Sequence, residues 1–126
     1  MNEKALQKEL IGACLDLKLF VFHDNDSRKN RPGLPDLIIS GRGRFFMWEL
    51  KGDRGKLSLV QYRWLKSLLE AGISAAVIYP RDLEESIEIL AGNKEFKGSE
   101  LSGNLARLER EIDFQKWAEI EESIPF

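Results

Sequence analysis

Two short apolar runs, residues 37–40 and 45–51, flank Gly41-Arg42-Gly43-Arg44. Glycine at 41 and 43 can supply the positive φ of a tight turn, so the runs are expected to pair as an antiparallel hairpin. Whether the loop counts as two residues or four, the register sets Ser40 against Phe45 and Asp36 against Glu49. Directly opposed residues have Cβ atoms about 4.5–5.5 Å apart on one sheet face. Lys51, two residues beyond Glu49, falls on that face by strand alternation. Two carboxylates facing each other destabilise a bare sheet, and a divalent cation between them reverses the sign of that effect. The hairpin register therefore predicts a metal site.

The 126 residues suit one domain with a sizeable core. A formal net charge of −2 hides an uneven distribution. Residues 28–66 hold ten Lys or Arg (Arg28, Lys29, Arg31, Arg42, Arg44, Lys51, Arg54, Lys56, Arg63, Lys66) against three acids, Asp36, Glu49 and Asp53. Residues 93–126 hold five bases against eight acids. Alone, the belt would read as a solvated charged face. Around a carboxylate pair it fits a polyanion held by its phosphates. The single cysteine, Cys14, excludes an internal disulfide, and no Cys/His cluster offers a zinc site. With no apolar run of membrane-spanning length and no signal-peptide core, a cytosolic protein without membrane contact is expected.

Asn2 can cap a helix from Glu3 to Asp16 with Leu6, Leu10, Cys14 and Leu17 on one stripe. Residues 19–22 read as a short buried strand, and 24–35 as a polar loop into the hairpin. Ser58 and Gln61 have capping-box spacing for a helix from Leu59 to about Ala71, with Gly72 at its C′ position. A strand over 75–79 follows, and Asp82 is placed to cap a helix to about Leu90. The order is α-β-β-β-α-β-α. A right-handed crossover makes the last strand parallel to that bearing Glu49 and Lys51, giving a central mixed sheet flanked by helices. Residues 1–91 form this core. Residues 92–126, with Leu101, Leu105, Leu108 and Ile112 at helical spacing and then Trp117, Ile120 and Ile124, read as an accessory helical segment packing on the core or on a second subunit.

Three matching stretches, Gly33-Leu34-Pro35-Asp36-Leu37-Ile38, Trp48-Glu49-Leu50-Lys51 and Gly55-Lys56-Leu57-Ser58 with Gln61, resemble the PD-(D/E)XK nuclease superfamily. Within it, the pattern resembles the virus-type replication–repair nuclease (VRR-NUC) domain, a group near the Holliday-junction resolvases. The resemblance spans residues 3–91. It implies an α/β PD-(D/E)XK nuclease-like core and Mg²⁺- or Mn²⁺-dependent hydrolysis of DNA phosphodiesters, often at branched structures. It makes Asp36 and Glu49 metal-binding acids, with the Leu50 backbone carbonyl and a glutamate of the first helix beside them. Glu3 fits that glutamate best, because Gln7 completes a Glu-x-x-x-Gln spacing; Glu9 is the rival. Lys51 matches the active-site lysine and Gln61 the helix-borne glutamine near the metal, for which a capping role competes. The chain departs from the pattern at Leu17-Lys18-Leu19, where a glycine is usual, and at His23, where an arginine is expected.

Hard cations such as Mg²⁺ prefer oxygen ligands and keep several waters. They acidify a bound water and offset charge growing on a phosphate. Lys51 between carboxylates is expected to be a cation that orients the nucleophile, with a base role also open. Arg28, Lys29, Arg31, Arg42, Arg44, Arg54 and Lys56 are the candidate phosphate contacts. Trp48 and Trp64 are read as core. The chain carries no base-reading module, so a structure-selective DNA endonuclease is expected, against an idle nucleic-acid-binding module or a restriction-type nuclease. A symmetric homodimer would suit paired cuts in a four-way junction, with the apolar face of residues 101–124 as its interface.

Overall fold

The computed structural model describes residues 1–23 and 33–111. In chain order these form helix α1 (Glu3–Asp16), strands β1 (Phe20–His23), β2 (Leu37–Gly41) and β3 (Arg44–Leu50), helix α2 (Leu59–Glu70), strand β4 (Ser74–Ile78), helix α3 (Leu83–Ala91) and a short helix α4 (Leu105–Glu111). The strands lie side by side in chain order, antiparallel from β1 to β3 and parallel between β3 and β4. The expected α-β-β-β-α-β-α order and mixed sheet are both present. Arg28, Lys29 and Arg31 of the basic belt, and Ile112, Trp117, Ile120 and Ile124 of the C-terminal apolar pattern, lie outside the described residues.

Alternation along the strands sorts their side chains onto two faces. One face carries Leu37 and Ile39, then Phe46, Trp48 and Leu50, then Ala76 and Ile78. These pack under Leu6, Leu10 and Cys14 of α1 and Ile89 and Leu90 of α3. Buried there, the Cys14 thiol has its pKa pushed up to about 11. The other face is covered by α2 over β4, where Leu65 meets Ala75, Val77 and Tyr79. Leu105 and Leu108 of α4 pack against this second cluster, while Leu101 is buried in the first. The C-terminal apolar positions within the described residues are thus spent on the core.

The hairpin is as expected in register, with Ser40 paired to Phe45 and Leu37 to Trp48. Its turn is the two residues Arg42 and Gly43, both at positive φ (53° and 75°), which matches the twist of the flanking strands. Lys18 is also left-handed at φ 59°. It lies in the Leu17-Lys18-Leu19 stretch between α1 and β1, so the turn there carries the strain of a side chain in the left-handed region.

Three expectations need correction. The first strand is not buried on both faces: it is an edge strand whose Phe20 and Phe22 are 80% and 57% exposed. Asp82 precedes α3 but makes no side-chain cap to it. Its buried carboxylate accepts from the Tyr79 N–H at 2.9 Å, the Ser102 N–H at 3.0 Å and the Ser102 hydroxyl at 2.5 Å, tying the segment before α4 to the end of β4. Trp64 is only partly buried; it lies over Gly33, where an added Cβ would stand 2.8 Å from its ring.

Candidate active site

The pairing of Leu37 with Trp48, continued by one residue, sets Asp36 opposite Glu49 at the end of the hairpin away from its turn. The two acids meet there. Asp36 Oδ2 accepts from the Leu50 N–H at 2.9 Å, which locks the residue after Pro35 against β3. A residue's N–H and C=O leave an extended strand on the same side. The Leu50 carbonyl therefore leaves the strand on the Asp36 side. The next amide, Lys51 N–H, donates to Ile78 O on β4.

Glu49 is 2% exposed. Its Oε1 accepts from Gln61 Nε2 at 3.1 Å and lies 3.9 Å from Lys51 Nζ. Its Oε2 is buried with no donor. Beside it Asp36 supplies only another acceptor, so the two carboxyls must share a proton or a cation. Burial holds the Glu49 carboxyl well above the usual carboxylate range, the Asp36 charge adds to that, and Lys51 opposes it. Glu3, at the N-terminus of α1, is also raised, first by partial burial and then by the Asp36 charge, with Lys51 opposing. Glu3 thus feels the charges of Asp36 and Lys51, and Glu49 feels that of Glu3. Glu9 lies away from them. Six residues on, it is displaced about 9 Å along the helix axis and about a third of a turn around it, beside Ile87 of α3.

The profile of the VRR-NUC domain family matches residues 1–82, well over half of the chain. The chain belongs to that family. A solved structure described as a VRR_NUC domain is similar to it in fold, with a TM-score of 0.58 and 25% sequence identity, covering 68% of this chain and 94% of the other. No curated protein matches. VRR-NUC membership makes this a nuclease domain of the PD-(D/E)XK type, with DNA as the implied substrate.

The VRR-NUC residues present suit a hard cation. Among the described residues, no three His, Cys, Asp or Glu side chains close on a common point. The shell offered is therefore an acidic pair with an orphaned oxygen, a backbone carbonyl and a third carboxylate nearby. Mg²⁺ is held in this manner, by one or two carboxylates with water and substrate oxygens completing the shell.

Gln61 makes the capping box that the spacing offered and also reaches Glu49. Its Oε1 accepts from the Ser58 N–H at 2.9 Å and its own N–H donates to Ser58 Oγ at 3.2 Å, closing a capping box on α2. The same amide then donates through Nε2 to Glu49. Gln61 is a positioning residue: it steers Glu49 from the first turn of a helix.

The basic belt divides on folding. Arg54 and Lys56 are exposed on the loop that follows Lys51. That loop is pinned by the Tyr79 hydroxyl donating to Gly55 O at 3.1 Å, and Gly55 lies against the Lys51 stem. Arg42 and Arg44 sit at the turn, about 20 Å along the hairpin from Asp36 at 3.3 Å per residue. Arg42 is exposed, whereas the Arg44 guanidinium donates to the carbonyls of Ile89 and Leu90 and lies over the Phe46 ring. Arg44 serves the C-terminal end of α3, so the expected coincidence of basic belt and acid pair fails at these two arginines.

Two contacts escaped sequence reasoning. The Tyr79 tether had no local signal, being 24 residues from its partner. Gln7 Nε2 lies 3.2 Å from His23 Nδ1. This places the lone histidine at the β1 end beside α1, on the partner that the Glu3-x-x-x-Gln7 spacing had already marked.

Proposed function

We propose that this chain is a Mg²⁺- or Mn²⁺-dependent DNA endonuclease, structure-selective and acting on branched DNA as a pair of subunits. The observation that carries the reading is the buried Glu49 carboxyl with its unpartnered Oε2 beside Asp36. A fold that only bound DNA gains nothing from burying one acid against another next to a polyanion. A divalent cation bound there supplies charge for a phosphate oxygen and a more acidic water.

The chain's own residues do the rest. Asp36, locked by the Leu50 amide, and Glu49, steered by Gln61, fix where a cation and the scissile phosphate meet. Lys51, 3.9 Å from Glu49 Oε1, is in place to orient the attacking water and to balance charge on the phosphate. Arg54 and Lys56 are the exposed cations beside the site that can take flanking phosphates. With no groove-reading element among the described residues, recognition falls to backbone and shape.

The test is cleavage of labelled four-way junction, 5′-flap, single-stranded and linear duplex DNA in Mg²⁺ and in Mn²⁺, for wild type, Asp36→Asn and Lys51→Ala. Metal-dependent cutting, lost in both variants and strongest on a branched substrate, is expected. Binding without cutting in either metal would leave an idle DNA-binding module. Fixed cut sites on linear duplex would favour a restriction-type enzyme.

A further inference from the structure

A cleft of about 380 Å³ opens beside the end of β4, between Arg81, which follows the strand, and Arg107 and Arg110 of α4. All three arginines are exposed. Two of them are held in place. The Arg81 guanidinium lies 4.4 Å over the Tyr79 ring, and that of Arg107 donates to the Ser102 carbonyl. Among the described residues, none of the three pairs with a carboxylate. Asp82 and Glu100 also line the cleft, but both are engaged. Asp82 accepts from Tyr79 and Ser102, and Glu100 pairs with Lys94 and Lys97. Three guanidinium groups around one cleft repel one another, and an anion among them reverses the sign of that effect.

The cleft belongs to the end of the sheet that bears the acid pair. The β3–β4 register, continued one residue past Leu50 and Ile78, sets Tyr79 beside Lys51. The Tyr79 hydroxyl holds Gly55 of the loop carrying Arg54 and Lys56, while Arg81 lies over its ring. Tyr62 donates to Glu109 at 2.6 Å, which brings the end of α4, with Arg110, to the start of α2, where Gln61 reaches Glu49. Strands about 4.8 Å apart with a rise of about 3.3 Å per residue put the cleft roughly 10–15 Å from the acids.

We propose that this cleft takes a backbone phosphate of the DNA strand, about three or four nucleotides from the one that is cut. The inference deepens the nuclease reading and rests on it for the identity of the polyanion. DNA carries one charge per about 3.4 Å of helix axis on each strand, which sets that count. Arg54 and Lys56 stand in the interval, so acid pair, loop and cleft form one track. Arginine suits the far end of it, because its planar fork of donors matches two phosphate oxygens. Arg107 and Arg110 lie beyond residues 1–82, the stretch that the family profile matches. The C-terminal segment, acidic by count, thus adds a substrate contact outside the family match. A phosphate contact fixes the strand without reading bases.

The experiment is a salt titration of binding in EDTA, using labelled four-way junction and linear duplex DNA. Wild type is compared with Arg81→Gln/Arg110→Gln, Arg81→Lys/Arg110→Lys and Arg44→Ala, with circular dichroism to confirm folding. The glutamine pair is expected to lower the slope of log affinity against log salt by about one to two. At about 0.1 M salt its binding should be roughly tenfold weaker or more. The lysine pair keeps both charges and should keep the slope, as should Arg44→Ala. Should the glutamine pair misfold, Arg110→Gln alone, at an exposed position, is expected to lower the slope by about one. Glutamine variants with the wild-type slope, or a wild type that does not bind DNA, would overturn the proposal. So would a lysine pair that loses the slope as fully as the glutamine pair, which would leave the arginines a structural role. Cleavage of the same DNA in Mg²⁺ is read alongside. Cutting with an unchanged slope sinks the cleft alone, and an arginine-dependent slope without cutting sinks the nuclease reading alone.

Discussion

Replacing Glu49 by glutamine is expected to make the metal-free protein more stable while removing its response to metal. Glu49 is buried, and its carboxyl is raised well above 4.5 by burial first and by Asp36 second. The folded state therefore holds a proton that the unfolded chain releases above pH 4.5. The unfolded state binds fewer protons in that window, so stability falls as pH rises from 4.5 toward the raised folded value. The limiting slope is about 1.4 kcal/mol per pH unit for one proton. By pH 7 the loss is about 2–3 kcal/mol, after discounting the limiting value for sharing with Asp36. Glu49→Gln is neutral in both states and escapes this loss. Its Oε1 can still accept from Gln61, and its amide nitrogen gives Asp36 a donor where Oε2 offered none. The assay is urea unfolding at pH 5, 7 and 8, in EDTA and in Mg²⁺. Wild type should lose stability from pH 5 to 8 in EDTA and regain it with Mg²⁺. Glu49→Gln should show a flat profile in EDTA, exceed wild type at pH 7, gain little from Mg²⁺ and not cleave DNA. A variant weaker than wild type at pH 7 in EDTA, or one stabilised by Mg²⁺ as strongly as wild type, would refute the reasoning.

Ser58→Ala and Gln61→Ala should each cost about 1 kcal/mol of stability through the lost cap, read as a fall in melting temperature. Only Gln61→Ala should also lower cleavage at saturating substrate, by roughly tenfold or more for a freed Glu49 (about 1.4 kcal/mol of barrier). Arg44→Ala should lower stability by about 1–3 kcal/mol, since two carbonyls at the end of α3 lose a charged donor, and should leave the salt dependence of DNA binding unchanged in a titration. Lys18→Gly should raise stability by about 0.5–1 kcal/mol by relieving a left-handed lysine, measured as a higher urea midpoint.

How much could be read beforehand depended on the range of the interaction. The hairpin register followed from a turn of fixed length between two runs, and this carried Asp36 to Glu49 with no knowledge of the rest of the fold. The α1 and α2 boundaries were legible for the same reason, because Asn2 accepts from the Ala5 N–H and Ser58 pairs with Gln61, all within one turn. Phe20 and Phe22 were misread because an apolar run of four looks the same whether a helix covers both sheet faces or one. Arg44 and Asp82 were misassigned because their partners, Ile89 with Leu90 and Ser102, lie 45, 46 and 20 residues away. Between Glu3 and Glu9 the sequence could not choose, because which of them comes near Asp36 depends on how α1 is set against the hairpin, a contact more than 30 residues away.

The Gln61 side chain is one amide with two clients, and that narrows what residue 61 can be. A capping box accepts glutamate or glutamine alike. Here the far side of the group must donate to Glu49, which a carboxylate cannot do. Glutamate at 61 would keep the helix start and bring a further negative charge against the buried acid. Alanine would free the acid and fray the helix. Of the two residues that suit the turn, only the neutral one suits the site, so a requirement of the chemistry is written into the choice between Glu and Gln in what looks like an ordinary helix cap.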